Sequence, residues 1–285
     1  MINTVLLCPP DFYQIEYEIN PWMNLTNRVN RTKAQKEFDH LVQIYRDLGL
    51  NVEILAAQPG LPDMVYAANH GFVIDDIFIK SSFRYPQRRK EADHAEDHFR
   101  NNHNSPNPSG RTFRGNGGSY RIEEIPKGVF FEGQGDLFYR DGKFFFGYGK
   151  RSSKDAIHQL KKILRDDILT FEVNDPYFYH LDTCFAPLGR GKVVINPASF
   201  NKKDLGKIKK NFKKVIITGK QDNSVMCCNL VAIGDTIVIG EGVSSNLKKT
   251  LTTEGFKTIE TEMGEFLKGG GSVKCLTLEF FSSAN

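Results

Sequence analysis

The chain has little of what marks a membrane-spanning, secreted or metal-binding protein. Its 285 residues contain no apolar run of about eighteen, so no segment reads as a membrane-spanning helix. The opening INTVLLCPP is a short apolar stretch closed by two prolines, not the pattern of a secretory leader. Cysteine is sparse and odd in number: Cys8, Cys184, Cys227, Cys228 and Cys275 show no zinc-site spacing. Free thiols in a reducing cytoplasm are therefore expected, with the adjacent Cys227 and Cys228 read as buried packing. The seven histidines also lack ligand spacing, so neither a metal nor a cofactor is expected. His94 and His98, four residues apart, read as an exposed helix face. Charge of one sign is missing too, since the net charge is only +4. The densest basic run, KKDLGKIKKNFKK (Lys202–Lys214), carries Leu205, Ile208 and Phe212 at helical spacing. It reads as an amphipathic helix with a solvated lysine face, which leaves no nucleic-acid or membrane partner in view.

What the chain does have is a repeated layout. MVYAANHGFVIDDIFIKSSF, VFFEGQGDLFYRDGKFFFGYG, FYHLDTCFAPLGRGKVVINP and VMCCNLVAIGDTIVIGEG each read as an apolar strand, a polar tight turn and a second apolar strand. A fifth copy, SVKCLTLEFF, is cut short, and the opening strand TVLLC is placed to complete it. The copies start near residues 64, 129, 178, 225 and 272, about 65, 49, 47 and 47 residues apart. The long interval holds NNHNSPNPSGRTFRGNGG (Asn101–Gly118), whose composition is that of a polar loop insertion. Without it every interval is about 48 residues, an internal repeat. Between hairpins lie helical patterns. TKAQKEFDHLVQIYRDLG places Ala34, Phe38, Leu41, Ile44, Tyr45 and Leu48 on one face, with Gly49 as its stop; SSKDAIHQLKKILRDD and NLKKTLTTEGF are similar. The expectation is an α/β protein of five strand-strand-helix-strand units closing a ring as one domain over residues 1–285.

Such a ring brings the ends of the first strands to a common axis. Asn69, Glu132, His180 and Cys275 stand at those points. A lone strand cysteine is commonly inert, and a lone histidine commonly just hydrogen-bonded. Four such residues at matching repeat positions are not explained by packing. Their types suit covalent catalysis: Cys275 as nucleophile, His180 as acid and base, Glu132 orienting His180. Asp182, two residues beyond His180 and so on the same strand face, adds a carboxylate suited to a planar cation. The three glycines before Cys275 let the backbone crowd a cavity.

Taken together, CPPDFYQIEYEINPWM, PDMVYAANHG, FEGQGD, FYHLDTCFAPL and GGSVKCLTL resemble the guanidino-modifying enzymes of the pentein superfamily. These are the arginine deiminases, dimethylarginine dimethylaminohydrolases, amidinotransferases and arginine dihydrolases. The resemblance covers nearly the whole chain apart from residues 101–118. It implies a five-bladed α/β propeller of ββαβ repeats. It also implies attack of Cys275 on a guanidino carbon, with His180 and Glu132 completing the triad through a covalent amidino-thioether. Arg88 and Arg151 match arginines that hold the substrate carboxylate. Asp63 and Asn20 resemble substrate-contacting positions, and Asp11–Met23 resembles a flexible lid.

Deiminases and dimethylargininases carry aspartate where this chain has Asn69. Asparagine there, with INPWM and HLDTCF, resembles the arginine dihydrolases, which convert arginine to ornithine, carbon dioxide and two ammonias. Ala67 and Ala68 depart from the hydroxyl or apolar residue common at that place. The alternatives are a dimethylarginine dimethylaminohydrolase giving citrulline and dimethylamine, or an amidinotransferase. Outside enzymes stands a binding module like the ribosome anti-association factors, which share the fold. The expected ligand is a small guanidino molecule, and a homo-oligomer stays open.

Overall fold

The computed structural model describes residues 2–101 and 120–283. Nearly all of the expected insertion at 101–118 lies outside them. In chain order the elements are β1 (Thr4–Leu7), α1 (Arg31–Asp47), β2 (Asn51–Ile54), β3 (Gly71–Ile74), β4 (Ile77–Lys80), α2 (Arg89–Asn101) and β5 (Arg121–Glu123). There follow β6 (Leu137–Arg140), β7 (Lys143–Gly149), α3 (Ala156–Leu164), β8 (Ile168–Val173), β9 (Phe185–Gly189), β10 (Lys192–Ile195), α4 (Lys202–Asn211) and β11 (Lys214–Ile217). The chain continues through α5 (Lys220–Ser224), β12 (Val231–Ile233), β13 (Thr236–Gly240), α6 (Ser245–Thr253) and β14 (Lys257–Thr261). It ends with α7 (Gly264–Leu267), α8 (Val273–Leu276) and β15 (Leu278–Phe281).

The repeat is visible in the pairing. β3-β4-β5, β6-β7-β8, β9-β10-β11 and β12-β13-β14 each join an antiparallel pair to a parallel third strand reached through a helix. β15 pairs antiparallel with β1, and β1 parallel with β2, so the N-terminal strand completes the fifth unit. The units do not form one closed hydrogen-bonded sheet. A parallel contact of β15 with β3 makes a six-stranded sheet, and the other three units remain separate three-stranded sheets.

Local signals explain the helices. Asn30 caps α1 by accepting from the Lys33 amide at 3.0 Å, and Ala34, Phe38, Leu41, Val42, Ile44 and Tyr45 form its buried stripe. The basic segment forms α4 over Lys202–Asn211, shorter than expected, because Lys214 already belongs to β11. Cys227 and Cys228 are buried, as expected of packing residues. His98 is not on an exposed face: its Nε2 lies 2.8 Å from Glu53 Oε2, a carboxylate on β2 next to α2. No described helix is long and apolar enough to cross a membrane.

One expectation needs correcting. Asn69, Glu132, His180 and Cys275 do not end the first strands; they precede them. Asn69 lies in the single helical turn Ala67–His70, Glu132 and His180 lead into the turns Gly133–Gly135 and Leu181–Thr183, and Cys275 is inside α8. A strand would send neighbouring side chains to opposite faces and tie its amides to a ladder. A tight turn lets a short segment direct several polar groups to one place.

Candidate active site

The turns crowd together. Gly133 has φ +57°, and a Cβ there would come 2.5 Å from the Gly71 carbonyl, so the turn bearing Glu132 packs on the backbone after Asn69. A Cβ at Gly135 would collide with Asn69 Nδ2 and lie 3.2 Å from the His180 ring. Asn69, Glu132 and His180, from three repeats, therefore share one site.

Glu132 is fully buried and accepts three donors. Oε2 takes His180 Nε2 at 2.7 Å and Arg151 Nη1 at 3.0 Å, and Oε1 takes the Arg84 amide at 3.2 Å. Burial alone would raise its pKa, but the Arg151 charge and the His180 hydrogen bond and charge outweigh burial and hold it well below the carboxylate range. An ionised carboxylate only accepts, so His180 Nε2 carries the proton and Nδ1 is the free nitrogen of the neutral ring. Nδ1 is buried without a hydrogen-bond partner among the described residues. The histidine is thus oriented by one nitrogen and available for proton transfer at the other.

Cys275 Sγ donates to Asp182 Oδ2 at 3.2 Å and accepts from Asn229 Nδ2 at 3.1 Å. Burial pushes the thiol pKa up, and Asp182 adds to this by charge and hydrogen bond, while Asn229 and the Ser272 backbone oppose it. Burial likewise raises Asp182 to about 7, against the pull of Lys274, Cys275 and Asn229. The pair holds its proton on sulfur. The second Asp182 oxygen, Oδ1, is buried and has no hydrogen-bond partner among the described residues. Tyr179 links the two halves of the site. Its ring centroid is 4.9 Å from that of His180, and its hydroxyl donates to the Gly270 carbonyl at 2.6 Å, in the turn leading to Cys275.

Of the remaining expected residues, Asp63, Arg88 and Arg151 are buried and Asn20 is half-buried. Arg88 holds Glu91 through Nε (3.0 Å) and Nη2 (2.8 Å) and donates to Asn69 Oδ1 at 2.9 Å and the Asp63 carbonyl at 3.3 Å. Asp63 accepts from the Tyr17 hydroxyl at 3.0 Å; burial lifts its pKa to about 6 despite Arg88. Arg151 lies between the Tyr85 and Tyr179 rings and donates to the Ile19 carbonyl at 3.1 Å as well as to Glu132. Asn20 donates to the Gly269 carbonyl at 3.0 Å, tying the Asp11–Met23 segment to the glycine run. The sequence reading missed Asn229, fully buried between the turns bearing Asp182 and Cys275. The signal was available: Asn229 stands two residues before β12, as Asn69 stands two before β3.

Residues 14–282 match the family described as N,N dimethylarginine dimethylhydrolase, eukaryotic. The chain is 37% identical over 278 residues to the bifunctional arginine dihydrolase/ornithine cyclodeaminase AgrE of Nostoc sp. (strain PCC 7120), covering 96% of this chain and 37% of that one. It is 33% identical over 273 residues to the N(G),N(G)-dimethylarginine dimethylaminohydrolase of Mycobacterium tuberculosis, covering 96% of this chain and 84% of that one. It thus spans little more than a third of the first relative's length and most of the second's. Among solved structures, the product-bound N-terminal domain of ArgZ, a cyanobacterial arginine dihydrolase, superposes with a TM-score of 0.90 at 31% identity over 99% of both chains.

Proposed function

The chain belongs to the N,N-dimethylarginine dimethylhydrolase family, and from that premise we propose that it hydrolyses the guanidino group of arginine to ornithine, carbon dioxide and two ammonias. Cys275 is the nucleophile, and the centre sits where five ββαβ units meet as the blades of a one-domain propeller. The matching pairing of the five three-stranded units supports that ring, as does the convergence of their turns. Buried free thiols suit a reducing cytoplasm.

The substrate guanidinium brings a positive charge up to the buried Asp182 Oδ1, which no group among the described residues hydrogen-bonds. Asp182 Oδ1 accepts one of its N–H groups, and that cation favours ionisation of the adjacent thiol. The Cys275 thiolate attacks the guanidino carbon to give a tetrahedral adduct. His180 Nδ1 takes up the proton that the thiol gives up and delivers it to one terminal nitrogen, which leaves as ammonia, and a cationic amidino-thioether remains. His180 then takes a proton from water as the oxygen adds to the same carbon; C–S cleavage returns the thiolate, and the hydroxyl proton passes to solvent, which leaves the neutral urea group of citrulline.

Asn69 is the reason to expect a second round. Arg88 Nη1 occupies Asn69 Oδ1, so the amide must turn its NH2 toward Glu132 and His180. An amide donor can hold the urea oxygen, whereas an aspartate there would repel it. A repeated attack by Cys275 expels the second ammonia and leaves a carbamoyl thioester; water converts this to a carbamate, which falls apart to ornithine and carbon dioxide. This orientation of Asn69 is the observation that carries the dihydrolase reading. The Mycobacterium relative and the family description favour a second reading, release of dimethylamine from dimethylarginine with citrulline as final product.

The test is incubation with arginine and, separately, with dimethylarginine, with ornithine, citrulline, dimethylamine and ammonia all quantified. Two ammonias per ornithine without lasting citrulline is the expected result. Dimethylamine plus citrulline would establish the second reading. One ammonia per citrulline would refute the role given to Asn69. No turnover of any guanidino compound would return the chain to the class of binding modules.

A further inference from the structure

Asn229 lies in the fourth repeat, the one that contributes none of the residues assigned above. Its side chain is completely buried, and every polar atom has a partner. Oδ1 accepts the backbone amides of Ser272 and Cys275, both at 2.9 Å. Nδ2 donates to the Asp182 carbonyl at 3.2 Å and to Cys275 Sγ at 3.1 Å. The Asn229 carbonyl accepts the Lys274 amide at 3.1 Å. The two backbone N–H groups fix which end of the amide is oxygen, so an N–H must face the sulfur. The approach to Asn229 is itself strained. Met226 is buried with φ +53°, a left-handed conformation that a non-glycine residue rarely adopts, and its carbonyl accepts the Asn229 amide at 2.8 Å.

We propose that Asn229 is a further functional residue, which pins the Cys275 turn against the Asp182 turn and supplies a side-chain hydrogen bond to the thiolate. The proposal rests on Cys275 as nucleophile but not on the identity of the substrate. Sγ has two side-chain partners among the described residues. When the sulfur loses its proton, the carboxylate of Asp182 becomes a repulsive neighbour until a cation arrives. The amide contact changes the other way: an N–H facing a thiolate becomes a charge-assisted bond, roughly twice as strong as a neutral one. Asn229 therefore acts on the ionised form, whereas the Asp182 contact favours the thiol.

The experiment reads the thiol without substrate. Parent, Asn229→Asp and Asn229→Ala are alkylated with iodoacetamide from about pH 6 to 10, and label on Cys275 is counted by mass spectrometry, with Cys275→Ser as the blank. Aspartate keeps the acceptor for the Ser272 and Cys275 amides but removes the donor to sulfur. Loss of that bond raises the thiol pKa by about one to two units; after allowance for the greater reactivity of a more basic thiolate, labelling slows about three- to tenfold below the midpoint. With arginine, Asn229→Asp should lower kcat and leave KM within a few-fold. A purely structural residue would lower the melting temperature and leave the labelling profile in place. If folded Asn229→Asp labels as the parent does, the proposal is wrong; should that variant not fold, Asn229→Ala is read by the same criterion, with Asn229→Ser behind it. Absence of arginine turnover in the parent would remove the proposed reaction and leave this comparison standing.

Discussion

Replacing Glu132 with glutamine removes one charge and changes no volume, yet the geometry predicts a large effect. Three donors converge on this carboxylate: His180 at 2.7 Å, Arg151 at 3.0 Å and the Arg84 amide at 3.2 Å. An amide offers one oxygen, so its NH2 must face at least one of those donors. Arg151 is also almost fully buried, and the neutral amide leaves its charge without a counter-ion. Removing one partner of such a pair costs about 3–5 kcal/mol. For a chain of this size that lowers the melting temperature by roughly 10 °C. The loss to catalysis is separate, since His180 loses the acceptor that fixes its tautomer. The corresponding loss in a serine–histidine–aspartate triad is about 10⁴-fold in kcat. The carboxyl is held below its unfolded value, so the stability it adds is present above about pH 4.3 and is lost as the pH falls toward the lowered folded value. The gap between parent and variant should therefore close in acid. The assays are thermal unfolding by circular dichroism between pH 3 and 8 and ammonia release from arginine. A melting temperature within about 2 °C of the parent, with kcat within tenfold, would refute the reasoning.

Four further outcomes follow from the same geometry. Asp182 titrates near 7, so the affinity for arginine should fall toward tenfold per pH unit as the pH drops below that value, and Asp182→Asn should bind weakly with no such slope, as titration calorimetry can show. Its folded value is raised, so the stability it contributes is complete below about pH 3.9 and is lost as the pH rises through 7; Asp182→Asn should gain in melting temperature over the parent across that interval, and a constant difference would count against it. Asn69→Asp should pair with Arg88 and leave the urea without a donor, so that citrulline accumulates; an unchanged ornithine-to-citrulline ratio sinks the role given to Asn69. In Gly135→Ala the new methyl meets Asn69 and the His180 ring, and kcat should fall by about 10²-fold while the far-ultraviolet dichroism stays parental; near-parental turnover would place that turn outside the site.

Much of this was legible in one dimension. A repeat of hairpins and helices leaves a periodic trace, because each unit needs the same apolar spacing and turn chemistry, and the five ββαβ units appear in the pairing in the expected order. Cys275, His180 and Glu132 stood out as candidates because a sulfur, an imidazole and a carboxyl at matching repeat positions have no packing explanation. Other features left no such trace. The site residues occupy single helical turns rather than strand ends, since AANH or EGQG is chemically compatible with either and only the packing of Gly133 on Gly71 selects the turn. Asn229 is the exception: its place two residues before β12 matches that of Asn69 before β3, but its bonds to the Asp182 and Cys275 turns exist only in the fold.

The order of elements and the repeat were determined by local preference, which acts through the nearest few residues along the chain. The proton arrangement was decided only in three dimensions. Arg151 and His180 hold Glu132 ionised, Cys275 keeps its proton and points it at Asp182, and Arg88 turns the amide of Asn69. These are electrostatic and hydrogen-bonding effects that fall away within a few ångströms, so they exist only once residues far apart in sequence have been buried side by side.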